Sequence, residues 1–174
     1  MNIREQLLVE HSKDNTDRIR KYIGVDKDKL QELMDCFFSN TYRVSQRSAM
    51  VVSSVFDHTP QMINPYVLSL IDGLAEPNQH IAIKRNALRI LQSVPIPEEK
   101  TTVLFDHCLE NLIQKNEPVA VKAFSMTVML QICKSFPELK KEVIPVLEIE
   151  LERNESAGVL NRGKKVLLAL HKLK

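Results

Sequence analysis

Four asparagines, Asn40, Asn78, Asn116 and Asn154, stand at a constant separation of 38 residues. One recurring polar residue constrains little, but the residues around it recur in phase. Five positions after each asparagine stand Ser45, Ile83, Val121 and Val159. Nine after stand the small residues Ala49, Ala87, Ser125 and Gly163, and twelve after stand the β-branched Val52, Ile90, Val128 and Val166. Sixteen after come Phe56, Val94, Ile132 and Leu170, and seven before come Leu33, Ile71, Leu109 and Leu147. Steps of four, three and four mark one face of an α-helix. A fixed period of this length is the signature of stacked repeats, each of which buries its apolar face only against its neighbours. The small residue at the ninth position lets a neighbouring helix approach closely.

Each repeat reads as two helices joined by a turn near the asparagine. The helices before the turn (A) are predicted over 27–39, 62–76, 98–115 and 138–153. Those after it (B) are predicted over 42–57, 79–94, 118–135 and 156–172. Asparagine tolerates the left-handed backbone that ends many helices, so it suits the position just past each A helix. Pro118 falls in the first turn of its B helix and Ser156 suits an N-cap. Pro60, Pro95, Pro97 and Pro137 fall where one repeat hands over to the next. Pro65 reads as a first-turn proline, whereas Pro145 predicts a kink or a later helix start.

Residues 1–25 lie outside the repeat register. They read as one or two helices split near Lys13–Asn15, with an apolar side from Leu7, Leu8, Ile19, Tyr22 and Ile23 and a stop at Gly24. Their expected role is an N-terminal helical cap over the end of the stack. The predicted organisation is one continuous domain, with the cap followed by repeats at about 26–59, 60–97, 98–136 and 137–174.

Composition agrees with an all-α chain. Four glycines, no tryptophan and 5% aromatic residues favour helices over a β-sandwich or barrel. Cys36, Cys108 and Cys133 are odd in number and far apart, which argues against a disulfide framework and for a reducing compartment. The opening MNIREQLLVEHSKDN is amphipathic and charged, unlike a signal peptide. No apolar run approaches the roughly 20 residues that span a bilayer. A soluble, cytoplasmic protein with no membrane partner is expected.

Tandem helix pairs of this length, the small position, and basic residues inside the B helices such as Lys84, Arg85, Arg89 and Lys122 resemble HEAT repeats. The resemblance covers residues 26–174. The family often places a proline in the A helix and an aspartate near the turn. Here the prolines are irregular and the turn residue is asparagine, so an armadillo-like or looser α-α arrangement stays open as the subclass. The resemblance implies a right-handed α-α superhelix of about four repeats, with B helices lining its concave side and no catalytic motif.

Charge divides by layer. The A segments hold seven basic and fifteen acidic residues, and the B segments twelve basic and three acidic, within a chain of net charge +2. Arg47 and Arg85 share a repeat position, as do Lys84 and Lys122, so stacking predicts ladders of like charge. A surface of one sign concentrates field and attracts oppositely charged partners. The predicted partner-binding residues are Arg43, Arg47, Lys84, Arg85, Arg89 and Lys122. An acidic protein or peptide is the first reading and nucleic acid the second. The competing view is that these are ordinary solvated helix faces, and local pairs such as Lys29 with Glu32 favour it.

An enzyme is not expected. HEAT-like DNA glycosylases also use a basic concave face, but they rely on tryptophans and a buried-face aspartate. This chain has no tryptophan, and Asp57 is the only aspartate in its B segments. Tyr42 and Phe124 are the best stacking residues for a base. The one His/Cys neighbour pair, His107 and Cys108, points about 100° apart on a helix and does not suggest a metal site. Met50, Met126 and Met129 read as core fillers. No metal and no cofactor are expected. The last helix, VLNRGKKVLLALHKLK, either closes the stack with its polar side or docks onto another chain, and oligomeric state stays open.

Overall fold

The computed structural model describes residues 1–39, 41–76, 80–153 and 156–174; Asn40, Asn78 and Asn154 of the asparagine series lie outside the described residues. Asn116 is exposed in the turn that follows its A helix. Among the described residues all regular structure is helical. The α-helices are α1 (Ile3–Val9), α2 (Lys13–Ile23), α3 (Lys27–Phe37), α4 (Tyr42–His58), α5 (Val67–Asp72), α6 (Ile81–Leu91), α7 (Glu98–Ile113), α8 (Val119–Ser135), α9 (Lys140–Arg153) and α10 (Ala157–Lys172). The chain forms two compact units, Met1–Ile90 and Leu91–Lys174.

In the first unit, α1 and α2 are two helices broken at residues 10–12. The Ser12 hydroxyl accepts the Asn15 N–H at 3.1 Å as the N-cap of α2. Buried Asn15 ties the break together, since its amide donates to the carbonyls of Gln6 at 2.8 Å and Glu10 at 3.0 Å. Gly24 ends α2 at φ +54°, a backbone that side-chain-bearing residues rarely adopt. Asp26 caps α3 by accepting the N–H groups of Asp28 and Lys29. Helices α3 and α4 pack as an antiparallel A/B pair in sequence order, and α1 and α2 pack on α4.

The second predicted A helix, 62–76, is broken. Short 3-10 turns occupy Pro60–Met62, Asn64–Tyr66 and Gly73–Ala75, leaving α5 with six residues. A residue before proline is driven out of the α-region, and proline lacks the N–H that would continue the ladder, so Pro65 interrupts the helix. Pro65 stands in the turn just before α5. Pro145 is the sixth residue of α9, and the helix runs through it to Arg153.

In the second unit, α7 packs on α8 and α9 on α10; between pairs, α7 packs on α9 and α8 on α10. Within each unit the repeat rows lie in the core. Ala49, Ala87, Ser125 and Gly163 are all buried, as are Val52, Ile90, Val128 and Val166. Gly163 shows why the ninth position is small: a Cβ there would lie 2.5 Å from Leu151 Cδ2. Two members of the rows sit half-buried at the edge, Phe56 and Leu109. On α7 the buried stripe runs Thr101, Leu104, Phe105, Cys108, Asn111 and Leu112, which leaves Leu109 beside it.

Candidate functional site

The B helices of the first unit run side by side in parallel. The Tyr42 ring meets His80 edge-on at 4.4 Å at their starts. The Ser53 hydroxyl donates to Asn86 Oδ1 at mid-length, and Arg89 meets Asp57 towards the ends. Five of the six predicted binding residues stand on these two helices. Arg43 and Arg85 are exposed and have no hydrogen-bond or ion-pair partner among the described residues.

The other three are engaged. Arg47 is half-buried, and its Nη1 donates to the Leu7 carbonyl at 2.9 Å. That carbonyl belongs to the last turn of α1, where no intrahelical N–H is left to meet it. Lys84 is half-buried and has a partner of its own. Arg89 Nη2 donates to both Asp57 oxygens, at 2.8 and 3.0 Å, so the aspartate of the B layer neutralises one of its arginines.

Lys122 is not part of an exposed surface, and the expected ladder step from Lys84 to Lys122 is corrected here. Its side chain is 2% exposed, and its ammonium donates to the Leu112 carbonyl at 3.1 Å and to Glu150. Glu150, 1% exposed, also accepts from Arg153 Nε at 2.8 Å. Arg153 in turn reaches the Ile113 carbonyl at 3.1 Å. Two cations thus hold one buried carboxylate and the carbonyls that end α7. An ammonium survives burial only with partners of this kind. The pair expected between Lys29 and Glu32 is also corrected: Lys29 pairs with Asp26 at 3.2 Å, and Glu32 accepts the Ile3 N–H at 2.8 Å.

Two further surfaces lie in the second unit. On α10, Asn161, Lys164, Lys165, Leu168, His171 and Lys172 are exposed at helical spacing, with Leu168 59% exposed at the centre. Arg162 points the other way, donating to Thr127 Oγ1 and Gln92 Oε1. On the A side, a cleft of about 400 Å³ is floored by Phe105, Phe136 and Leu139 and rimmed by Glu98, Asp106, Glu138 and Glu142. Buried Cys133 registers this environment: burial, then the charges of Glu138 and Glu142, push its thiol up to about 11. The three-residue turn Pro137–Leu139 brings Phe136, Glu138 and Leu139 to one place, which periodicity alone does not reveal.

Tyr42 is exposed and Phe124 half-buried; Met126 and Met129 are buried and Met50 half-buried. Cys108 is buried, while His107 turns towards Glu110 at 3.9 Å. Among the described residues no helix is long and apolar enough to cross a membrane.

A family model for the HEAT repeat domain matches residues 3–170, and the chain belongs to the HEAT repeat family. The match starts at residue 3 and so takes in α1 and α2, which lie outside the 38-residue register. Among solved structures, the crystal structure of the MAST/Orbit N-terminal domain is similar at 12% identity, with a TM-score of 0.48 over 99% of this chain and 84% of that one. No curated protein matches the chain.

Proposed function

We propose that this protein is a non-enzymatic binding scaffold that takes an acidic protein or peptide on the B-helix surface of α4 and α6. The observation that carries the reading is the segregation of charge: twelve basic against three acidic residues in the B segments, with Arg43 and Arg85 exposed and unmatched among the described residues. Like charges gathered on adjacent helices do not help folding, and their field favours an anionic ligand. Arg47 and Lys84 serve local contacts and Asp57 neutralises Arg89, so Arg43 and Arg85 carry most of the recognition.

The test is capture from native lysate with and without nuclease, using the wild type and an Arg43→Glu/Arg85→Glu variant. The scaffold reading expects a bound protein that survives nuclease and is lost in the variant. Loss on nuclease treatment alone transfers the surface to nucleic acid. Capture unchanged in the variant rejects the surface for either ligand.

A further inference from the structure

The second unit carries two surfaces of opposite sign and matching form. The outward stripe of α10 places one apolar side chain, Leu168, among the ammonium groups of Lys164, Lys165 and Lys172, four and three residues before it and four after. Positions so spaced share one helix face. The segment Ala157–Lys172 contains no acidic residue to offset them. The cleft between α7 and the start of α9 is the converse: an apolar floor of Phe105, Phe136 and Leu139 within a rim that includes Glu138 and Glu142, both exposed. Lys140, which stands between those two glutamates, is drawn away to the carbonyl of Leu173. The cleft volume of about 400 Å³ has room for a leucine side chain and the stems of flanking lysines.

We propose that the α10 stripe of one copy docks in the acidic cleft of a second copy, with Leu168 on the aromatic floor and Lys164 and Lys165 against Glu138 and Glu142. The argument is charge complementarity around an apolar centre. It is independent of the basic surface on α4 and α6, which belongs to the other unit. The two patches differ, so the contact is head-to-tail and leaves one of each open at the ends of any open assembly. Association therefore grows stepwise with concentration, and salt suppresses it because the rim charges are exposed.

The experiment is sedimentation analysis of the full chain at low and high salt, with two charge-reversal variants, Lys164→Glu/Lys165→Glu and Glu138→Lys/Glu142→Lys. All four residues are exposed, and circular dichroism confirms that the helices persist. The wild type is expected to exceed its 20.0 kDa monomer mass progressively at low salt and to return to it at high salt. Each variant alone is expected to stay monomeric. An equimolar mixture of the two matches the acidic stripe with the basic cleft and the native stripe with the native cleft, so it is expected to recover stepwise growth in which the two variants alternate. A wild type that stays monomeric at low salt, or a mixture that stays monomeric, overturns the proposal. Assembly that both variants retain also overturns it, because the contact then lies elsewhere.

Discussion

The ammonium of Lys122 on α8 meets the carboxylate of Glu150 on α9 with both side chains withdrawn from water. The pair binds consecutive repeats across their A and B helices, and Arg153 closes it from the surface. Removing one partner strands the other. Glu150→Ala leaves the Lys122 ammonium with the Leu112 carbonyl alone and is expected to cost about 3–5 kcal/mol. Lys122→Met is expected to cost less, because Arg153 still holds the carboxylate. The double variant Lys122→Met/Glu150→Leu should recover much of the loss. Urea denaturation of the three variants measures the ordering. A Glu150→Ala loss below that of Lys122→Met would contradict it.

Gly163 sets how closely α9 and α10 approach. A Cβ at this position meets Leu151 Cδ2 at 2.5 Å, Leu151 Cγ at 3.2 Å and Leu147 Cδ1 at 3.4 Å. Any larger side chain gains helix propensity, worth up to about 1 kcal/mol over glycine, but must displace two leucines. For Gly163→Leu the crowding outweighs that gain, and a net loss of about 1–3 kcal/mol is expected. Thermal unfolding checks it. An unchanged or raised Tm would mean that the two helices separate at no cost.

Both corrections to the site trace to partners that a linear pattern does not display. The 38-residue period was legible because the small and β-branched rows recur in one phase and each lands in the core. Lys122 shares its register with Lys84, and lysines are so rarely buried that both read as surface steps. The missed signal lies on α9, where Glu150 continues the apolar stripe of Val143 and Leu147. An acid at a buried position requires a buried base. The break in the second A helix was legible in Pro65, which lies three residues inside the predicted helix. The acidic cleft was illegible because Phe105 and Phe136 meet only through tertiary packing.

Cys133 gives a pH signature. Its thiol is pushed up to about 11, chiefly by burial, against an ordinary value of 9.0. The folded state therefore holds this proton more tightly than the unfolded chain. The associated stability is full below the unfolded value and is lost as pH rises from about 9 to about 11. Replacing Cys133 by alanine should flatten the fall in stability over that window relative to wild type. A slope unchanged in the variant would assign the fall to other groups. Alkylation at neutral pH should likewise follow unfolding, since the thiol is both buried and protonated.

Asp57 neutralises Arg89 on the proposed binding surface. Their side chains stay 48% and 33% exposed, so Asp57→Asn is expected to change stability by less than about 1 kcal/mol. It also releases a positive charge beside the other arginines. Binding of an acidic ligand to α4 and α6 should strengthen several-fold at low salt, an effect that salt screens. Fluorescence titration with an acidic peptide reads both trends. Weaker binding in this variant would show that the Arg89–Asp57 pair positions the surface rather than masking it.

The most direct measurement is equilibrium binding of a fluorescent polyglutamate peptide and, separately, of a duplex oligonucleotide to wild type and to Arg43→Glu/Arg85→Glu. An acidic-ligand scaffold predicts peptide binding that falls at least tenfold in the variant, with the duplex bound more weakly than the peptide. Peptide affinity that is the same in both proteins, or a duplex bound in preference to the peptide, would contradict it.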